Sequence, residues 1–231
     1  MNTKYLYLCI DLAAISLPLA FSFYPKANFS KKWKYLWPAL LLPAVFFLLW
    51  DEWFTAMGVW GFNLRYVTGI HLFHLPLEEV FFFICIPYAC LFTYEAVGYF
   101  SKRDYWSRYA PTITVGLLAV LLLTAVFHLD RWYTAVTCLL LSSLLLYIHL
   151  RLKPHYLGKF YLSYLFILAP FFIVNGLLTG TGIDNEVVWY NDTENLGVRL
   201  GTIPVEDIFY GMLLILLNVV VFEELQKSAK K

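Results

Sequence analysis

Long apolar runs separated by short polar clusters set the pattern of this chain. A helix needs roughly 20 apolar residues to cross about 30 Å of hydrocarbon. Seven runs approach that length: 5–24, 35–50, 77–100, 113–129, 132–150, 160–178 and 205–222. Pro18, Pro38, Pro43, Pro87 and Pro170 fall within or near them, a placement that membrane helices tolerate better than soluble ones. The fourth and fifth runs meet at HLDRW, residues 128–132, which leaves room only for a tight hairpin. The pattern predicts an all-α fold, a polytopic membrane helical bundle of about seven transmembrane helices.

Composition agrees. Hydrophobic residues make up 61% of the chain and charged ones 14%, the profile of an integral membrane protein. The net charge of +1, without a basic tract, gives no footing for a nucleic-acid partner. Cys9, Cys85, Cys90 and Cys138 all lie in apolar runs and read as unpaired buried thiols, in neither a disulfide nor a zinc spacing. The N-terminus lacks a basic region and a small-residue cleavage site, so the first run is expected to stay as a membrane helix.

Lys and Arg then set an orientation. Thirteen would lie on one face: Lys26, Lys31, Lys32, Lys34, Lys102, Arg103, Arg108, Arg151, Lys153, Lys159, Lys227, Lys230 and Lys231. Only Lys4, Arg65, Arg131 and Arg199 fall on the other. The positive-inside bias predicts an N-terminus outside and a C-terminus in the cytoplasm.

Two polar phrases stand out, HLPLEEVFFF at 74–83 and TIPVEDIFYG at 202–211. Sliding the chain by 128 positions aligns Asn63 with Asn191, Gly69 with Gly197, Pro76 with Pro204, Glu78 with Glu206 and Glu79 with Asp207. Seven of 35 pairs are identical across 61–95, all in one ungapped register, and the match fades in the first helix, where Asp11 faces Leu139. This pattern predicts two three-helix repeats, 1–100 and 131–231, with 101–130 as a connecting helix. An odd number of connecting spans makes the repeats parallel, about an axis near the membrane normal.

Proline and acids at a helix start also serve ordinary capping. Four carboxyls in matched pairs at a membrane boundary point further, because charge in hydrocarbon is costly and marks function by default. Crowded carboxylates in apolar surroundings do not all ionise, so at least one is expected to keep its proton as a general acid. Candidate catalytic residues are therefore Glu78, Glu206, Glu79 and Asp207. Asn63 and Asn191 would orient the acids or cap the helix entrances. Nearby rings, Phe82 and Tyr210 among them, offer negative π faces that steady a cation without trapping it. Acid plus aromatic cage suits proton-initiated carbocation chemistry on an apolar substrate. Asp11 is expected in a structural hydrogen-bond role, and Glu95 and Glu223 as anchors at the far interface. His71 and His74 precede the first phrase, but Arg199 and Thr202 replace them in the second, so no metal site is assigned.

The chain resembles the bacterial and archaeal membrane-embedded lycopene cyclases built from two small cyclase domains, in their fused form. YLYLCIDLAAISLPLAFSF, WDEWFTAMGVWGFN, HLPLEEVFFFICIPYACLFTYE, NGLLTGTG, VVWYN and TIPVEDIFYGMLL carry the resemblance. It implies a prokaryotic plasma-membrane enzyme that turns the open ends of lycopene into β-ionone rings, giving γ-carotene and then β-carotene without redox change. Glu78 and Glu206, identical in both halves, are preferred as the principal acid and base. No cofactor is expected, because no G-x-G-x-x-G follows a strand and opens a helix. The expected partners are lycopene or a related carotenoid and the bilayer, with association with other carotenoid-pathway enzymes left open. Rival readings are a cyclase for C50 or ε-ring carotenoids, a scaffolding subunit, and a transporter using intramembrane carboxylates.

Overall fold

The computed structural model describes residues 3–26, 28–101, 106–152 and 154–229. Among them, seven helices are long and apolar enough to cross a membrane. They are α1 (Leu6–Phe21), α2 (Trp33–Met57), α3 (Leu77–Phe100), α4 (Ala110–Phe127), α5 (Trp132–Tyr147), α6 (Leu157–Leu178) and α7 (Glu206–Ser228). The apolar runs located all seven, but α2 continues well beyond Trp50. Asp51 and Glu52 do not end it, because Asp51 is buried and accepts the indole N–H of Trp60. The helix stops instead at Gly58, whose φ of 73° supplies a left-handed cap that costs glycine no steric penalty.

Among the described residues six short strands escape the apolar pattern: β1 (Trp60–Phe62), β2 (His71–Leu72), β3 (Leu75–Pro76), β4 (Val188–Tyr190), β5 (Arg199–Leu200) and β6 (Ile203–Pro204). Two or three residues are too few for a readable period. β2–β3 and β5–β6 are equivalent hairpins that lead straight into α3 and α7. They set the entrance of both acidic phrases.

The two repeats run in the same direction. The Tyr7 amide at the start of α1 donates to the Tyr66 carbonyl, and the Tyr133 amide at the start of α5 donates to that of Glu194. Both loops lead to the acidic ends of their units, and α4 provides the extra crossing between α3 and α5. Within each unit the first helix packs on the third, α1 on α3 and α5 on α7. Between units, the second helix packs on the other unit's third helix, α2 on α7 and α6 on α3. α4 packs against α5 and α6. One core, including Phe47, Phe83, Tyr88, Phe160 and Phe222, crosses the boundary between the units. Lipid is as apolar as these side chains, so close packing holds the helices together.

At the far end, Lys32 pairs with Glu95, while Lys159 lies 3.2 Å from Glu95 and 3.8 Å from Glu223. Lys159 ties the units together there through Glu95, and the Tyr94 hydroxyl donates across to Glu223. Five residues used for the charge bias, Lys102, Arg103, Lys153, Lys230 and Lys231, lie outside the described residues.

β1 and β4 join the units in an antiparallel ribbon: Trp60 pairs with Tyr190, Gly61 with Trp189 and Phe62 with Val188. Under the 128-residue offset, Gly61 and Trp189 are equivalent positions, so the repeat axis runs through this pair. A Cβ on Gly61 would approach the Trp189 ring to 2.4 Å. Gly61→Val is therefore expected to cost about 1–3 kcal/mol through overpacking. Adding Trp189→Ala should recover most of that loss, as read by thermal unfolding in detergent.

Candidate functional site

The two acidic phrases start α3 and α7, where neighbouring side chains on a helix point about 100° apart. Their acids therefore separate by direction. The first acid of each phrase turns toward its own loop. Glu78 Oε1 accepts the Thr68 amide at 2.7 Å, and Glu206 Oε1 accepts the Leu196 amide at 2.7 Å. Glu206 Oε1 also accepts the Thr134 hydroxyl at 2.6 Å. Each first acid thus closes the loop that precedes its helix.

The second acid turns inward and meets a tyrosine from the first helix of its own unit. Tyr7 donates to Glu79 Oε2 at 2.5 Å, and Tyr133 donates to Asp207 Oδ1 at 2.5 Å. Tyr190, on β4, adds a bond to Asp207 Oδ2 at 3.1 Å. Burial and the adjoining Asp207 push the Tyr190 phenol well above its usual range, so it remains a donor. In the first unit the buried Asp51 carboxyl is a close electrostatic neighbour of Glu79.

Asp51, Glu79 and Asp207 line one cavity of about 700 Å³, within the size range of ligand pockets. Its acidic end is walled by Trp60, Tyr133, Tyr190 and Tyr210. Trp60 and Tyr133 are edge-to-face at 5.1 Å, Tyr133 and Tyr190 stack at 5.7 Å, and Tyr210 lies 6.1 Å from Trp60. From there the cavity follows α1 from Tyr7 to Pro18, a rise of about 16 Å. Leu17 and Ile173 line it and are also 67% and 66% exposed, so it opens sideways between α1 and α6. Inside a bilayer, that opening faces acyl chains.

Of the residues expected from sequence, Glu79, Asp207, Phe82 and Tyr210 line this cavity. Glu78 and Glu206 are buried behind it, bonded to the loops. Asn63 and Asn191 form matching turns: their side-chain oxygens accept the amides of Arg65 and Thr193, two residues on. Their described hydrogen bonds go to the loops rather than to the acids. Asp11 is fully buried, with neither oxygen partnered among the described residues, so the hydrogen bond expected of it is not seen. His74 meets Glu52, and His71 meets the Gly69 carbonyl.

Sequence reasoning missed Asp51, Tyr7 and Tyr133. The second span was ended at Trp50, one residue short of Asp51. Tyr7 and Tyr133 are equivalent at an offset of 126, because the second half carries two more residues between its first helix and its ribbon. Allowing that slip would have paired them, and it sets Asp11 against Thr137.

The loop-closing role of the first acids has a stability signature. Glutamine keeps an acceptor oxygen for the Thr68 or Leu196 amide; leucine leaves that amide unpaired. Glu78→Leu or Glu206→Leu should cost about 1–3 kcal/mol more than the matching Gln variant. Denaturation in detergent micelles measures the difference.

No curated protein and no solved structure matches the chain. The family model for lycopene cyclase matches it twice, over residues 4–97 and 130–225. The two matched segments hold α1 to α3 and α5 to α7, and both carry an inward acid with its tyrosine. With most of its length matched, the chain belongs to the lycopene cyclase family.

Proposed function

We propose that the protein is a lycopene β-cyclase acting by acid–base catalysis at the cavity between the repeats. The observation that carries this reading is the convergence of Glu79 and Asp207, one from each unit, on a single apolar, ring-walled chamber. A C40 polyene has no polar handle, so shape and apolar contact must hold it. The sideways opening suits a substrate dissolved in the bilayer, with its terminus at the acids and its polyene along α1.

The reaction then needs one proton in and one out. A carboxylic acid protonates carbon 2 of the terminal double bond, leaving a tertiary cation at carbon 1. The carbon 5–6 double bond attacks, forming the bond between carbons 1 and 6 and moving the cation to carbon 5. A carboxylate removes the proton from carbon 6, and those electrons restore the double bond between carbons 5 and 6. Trp60, Tyr190 and Tyr210 line the place where charge develops and offer π faces to it. The enzyme is therefore an isomerase in the intramolecular-lyase class, with no net redox change.

Burial at the cavity favours Glu79 and Asp207 as the reacting acids, with Glu78 and Glu206 as their structural supports. The ring type carries over from the family resemblance. The halves 1–100 and 131–231 act as two fused cyclase domains, with 101–130 as the connector. The Lys and Arg bias supports an acidic end at the outer boundary, and the family resemblance supports a prokaryotic plasma membrane.

Purified protein in liposomes containing lycopene, placed in heavy water, should yield β-carotene with one deuterium at carbon 2 of each ring. Unchanged lycopene, with folded protein in the vesicles, would rule the reading out. Glu79→Gln and Asp207→Asn should each lower turnover by about 100-fold or more, while the folded fraction stays at the wild-type level.

A further inference from the structure

Asp51 is the acid of the cavity that has no counterpart in the other repeat. It is buried, it lines the chamber beside Glu79, and its Oδ1 accepts the Trp60 indole N–H. Its other oxygen is buried with no hydrogen-bond partner among the described residues. The Glu79 carboxyl is its neighbour in the same buried chamber. Two neighbouring carboxyl groups in apolar surroundings do not both ionise, because bare carboxylates repel and burial penalises each charge, so the pair keeps a proton. α6, the corresponding helix of the second unit, carries no Asp or Glu, and its end brings to the chamber Asn175 and the Thr179 that follows.

Asp207 has a different environment. Both of its oxygens accept a phenol O–H, from Tyr133 and from Tyr190. Glu79 accepts one phenol, from Tyr7, and has the Asp51 carboxyl beside it. The first unit is built to hold a proton and the second to receive one. The asymmetry lies in Asp51 on α2, for which α6 has no matching acid.

We propose that Asp51 is a reacting acid of this site: with Glu79 it holds one shared proton and delivers it to the terminal double bond of the polyene. This rests on the cyclase reading above and assigns its proton donor. The O–H bond of the pair breaks as the bond to carbon 2 forms, and the negative charge left behind is spread over two carboxyl groups held by Tyr7 and Trp60. After ring closure Asp207 takes the carbon 6 proton. Exchange with solvent returns a proton to the pair and removes one from Asp207, which resets the site with no oxidant or reductant consumed. Because the pair exists in one repeat only, the protein has one site, and each turnover closes one ring.

Asp51→Asn tests this while keeping an oxygen for the Trp60 indole. Two substrates separate proton delivery from architecture: lycopene, and the same polyene carrying an epoxide across carbons 1 and 2. The strained epoxide opens with weaker acid assistance: its oxygen is protonated, the bond from carbon 1 to oxygen breaks, and a ring bearing a hydroxyl at carbon 2 forms. Asp51→Asn is expected to lose about 100-fold or more on lycopene and no more than about 10-fold on the epoxide. Equal losses on both substrates, or lycopene turnover within about threefold of wild type, would overturn the assignment. Infrared spectra give a second readout that needs no turnover. The carbonyl band of the shared protonated carboxyl, sensitive to deuterium exchange, should vanish in both Asp51→Asn and Glu79→Gln. Its persistence in Asp51→Asn would refute the shared proton. A wild-type protein inactive on lycopene would defeat the cyclase reading and with it the delivery step, while the infrared comparison would still decide whether the pair holds a proton.

Discussion

A carboxyl group taken out of water must find hydrogen-bond donors, and in a membrane bundle water does not supply them. Everything at the acidic end of this protein follows from that demand. Four carboxyls at the starts of α3 and α7 meet it in two ways, Glu78 and Glu206 with backbone amides, and Glu79 and Asp207 with phenols. The amide bonds hold each hairpin against the helix it feeds. The phenol bonds tie the first helix of each unit to the third. The same contacts that satisfy the acids therefore fix the loops, position α1 and α5, and shape the wall of the cavity.

This coupling explains why so few polar residues organise so apolar a chain. Helices in lipid gain little from burying one more leucine, since the surrounding hydrocarbon is an equal alternative. A carboxyl–phenol bond has no such alternative, because the broken state leaves two polar groups in oil. At the opposite end the lysines take over: Lys32 and Lys159 hold Glu95, and Lys159 also reaches Glu223. The bundle is pinned at both ends and packed by shape between them.

Much of this was legible in the sequence. Apolar runs located the helices because length and composition are what a bilayer selects. The repeated proline–acid phrases were legible because they sit in an ungapped register. The ribbons were not, since strands of two or three residues have no period to read. Tyr7 and Tyr133 stayed hidden by a two-residue slip between repeats, and Asp51 because the apolar run it follows ends at Trp50. Which acid of each pair faces the cavity depends on how α3 and α7 are rotated, and composition holds no information about rotation. Glu78 and Glu206, identical across the halves, are the pair that sequence identity favours, and they are the pair that holds the loops.

The ribbon between β1 and β4 carries a historical implication. At Gly61 and Trp189 a bulky side chain on one strand occupies the space above a bare backbone on the other. An ancestral homodimer of two indistinguishable copies would have placed the same residue at both points, where two indoles would collide and two glycines would leave a gap. Glycine facing tryptophan is open only to copies that have already diverged. Gene duplication thus freed the dyad itself to become lopsided.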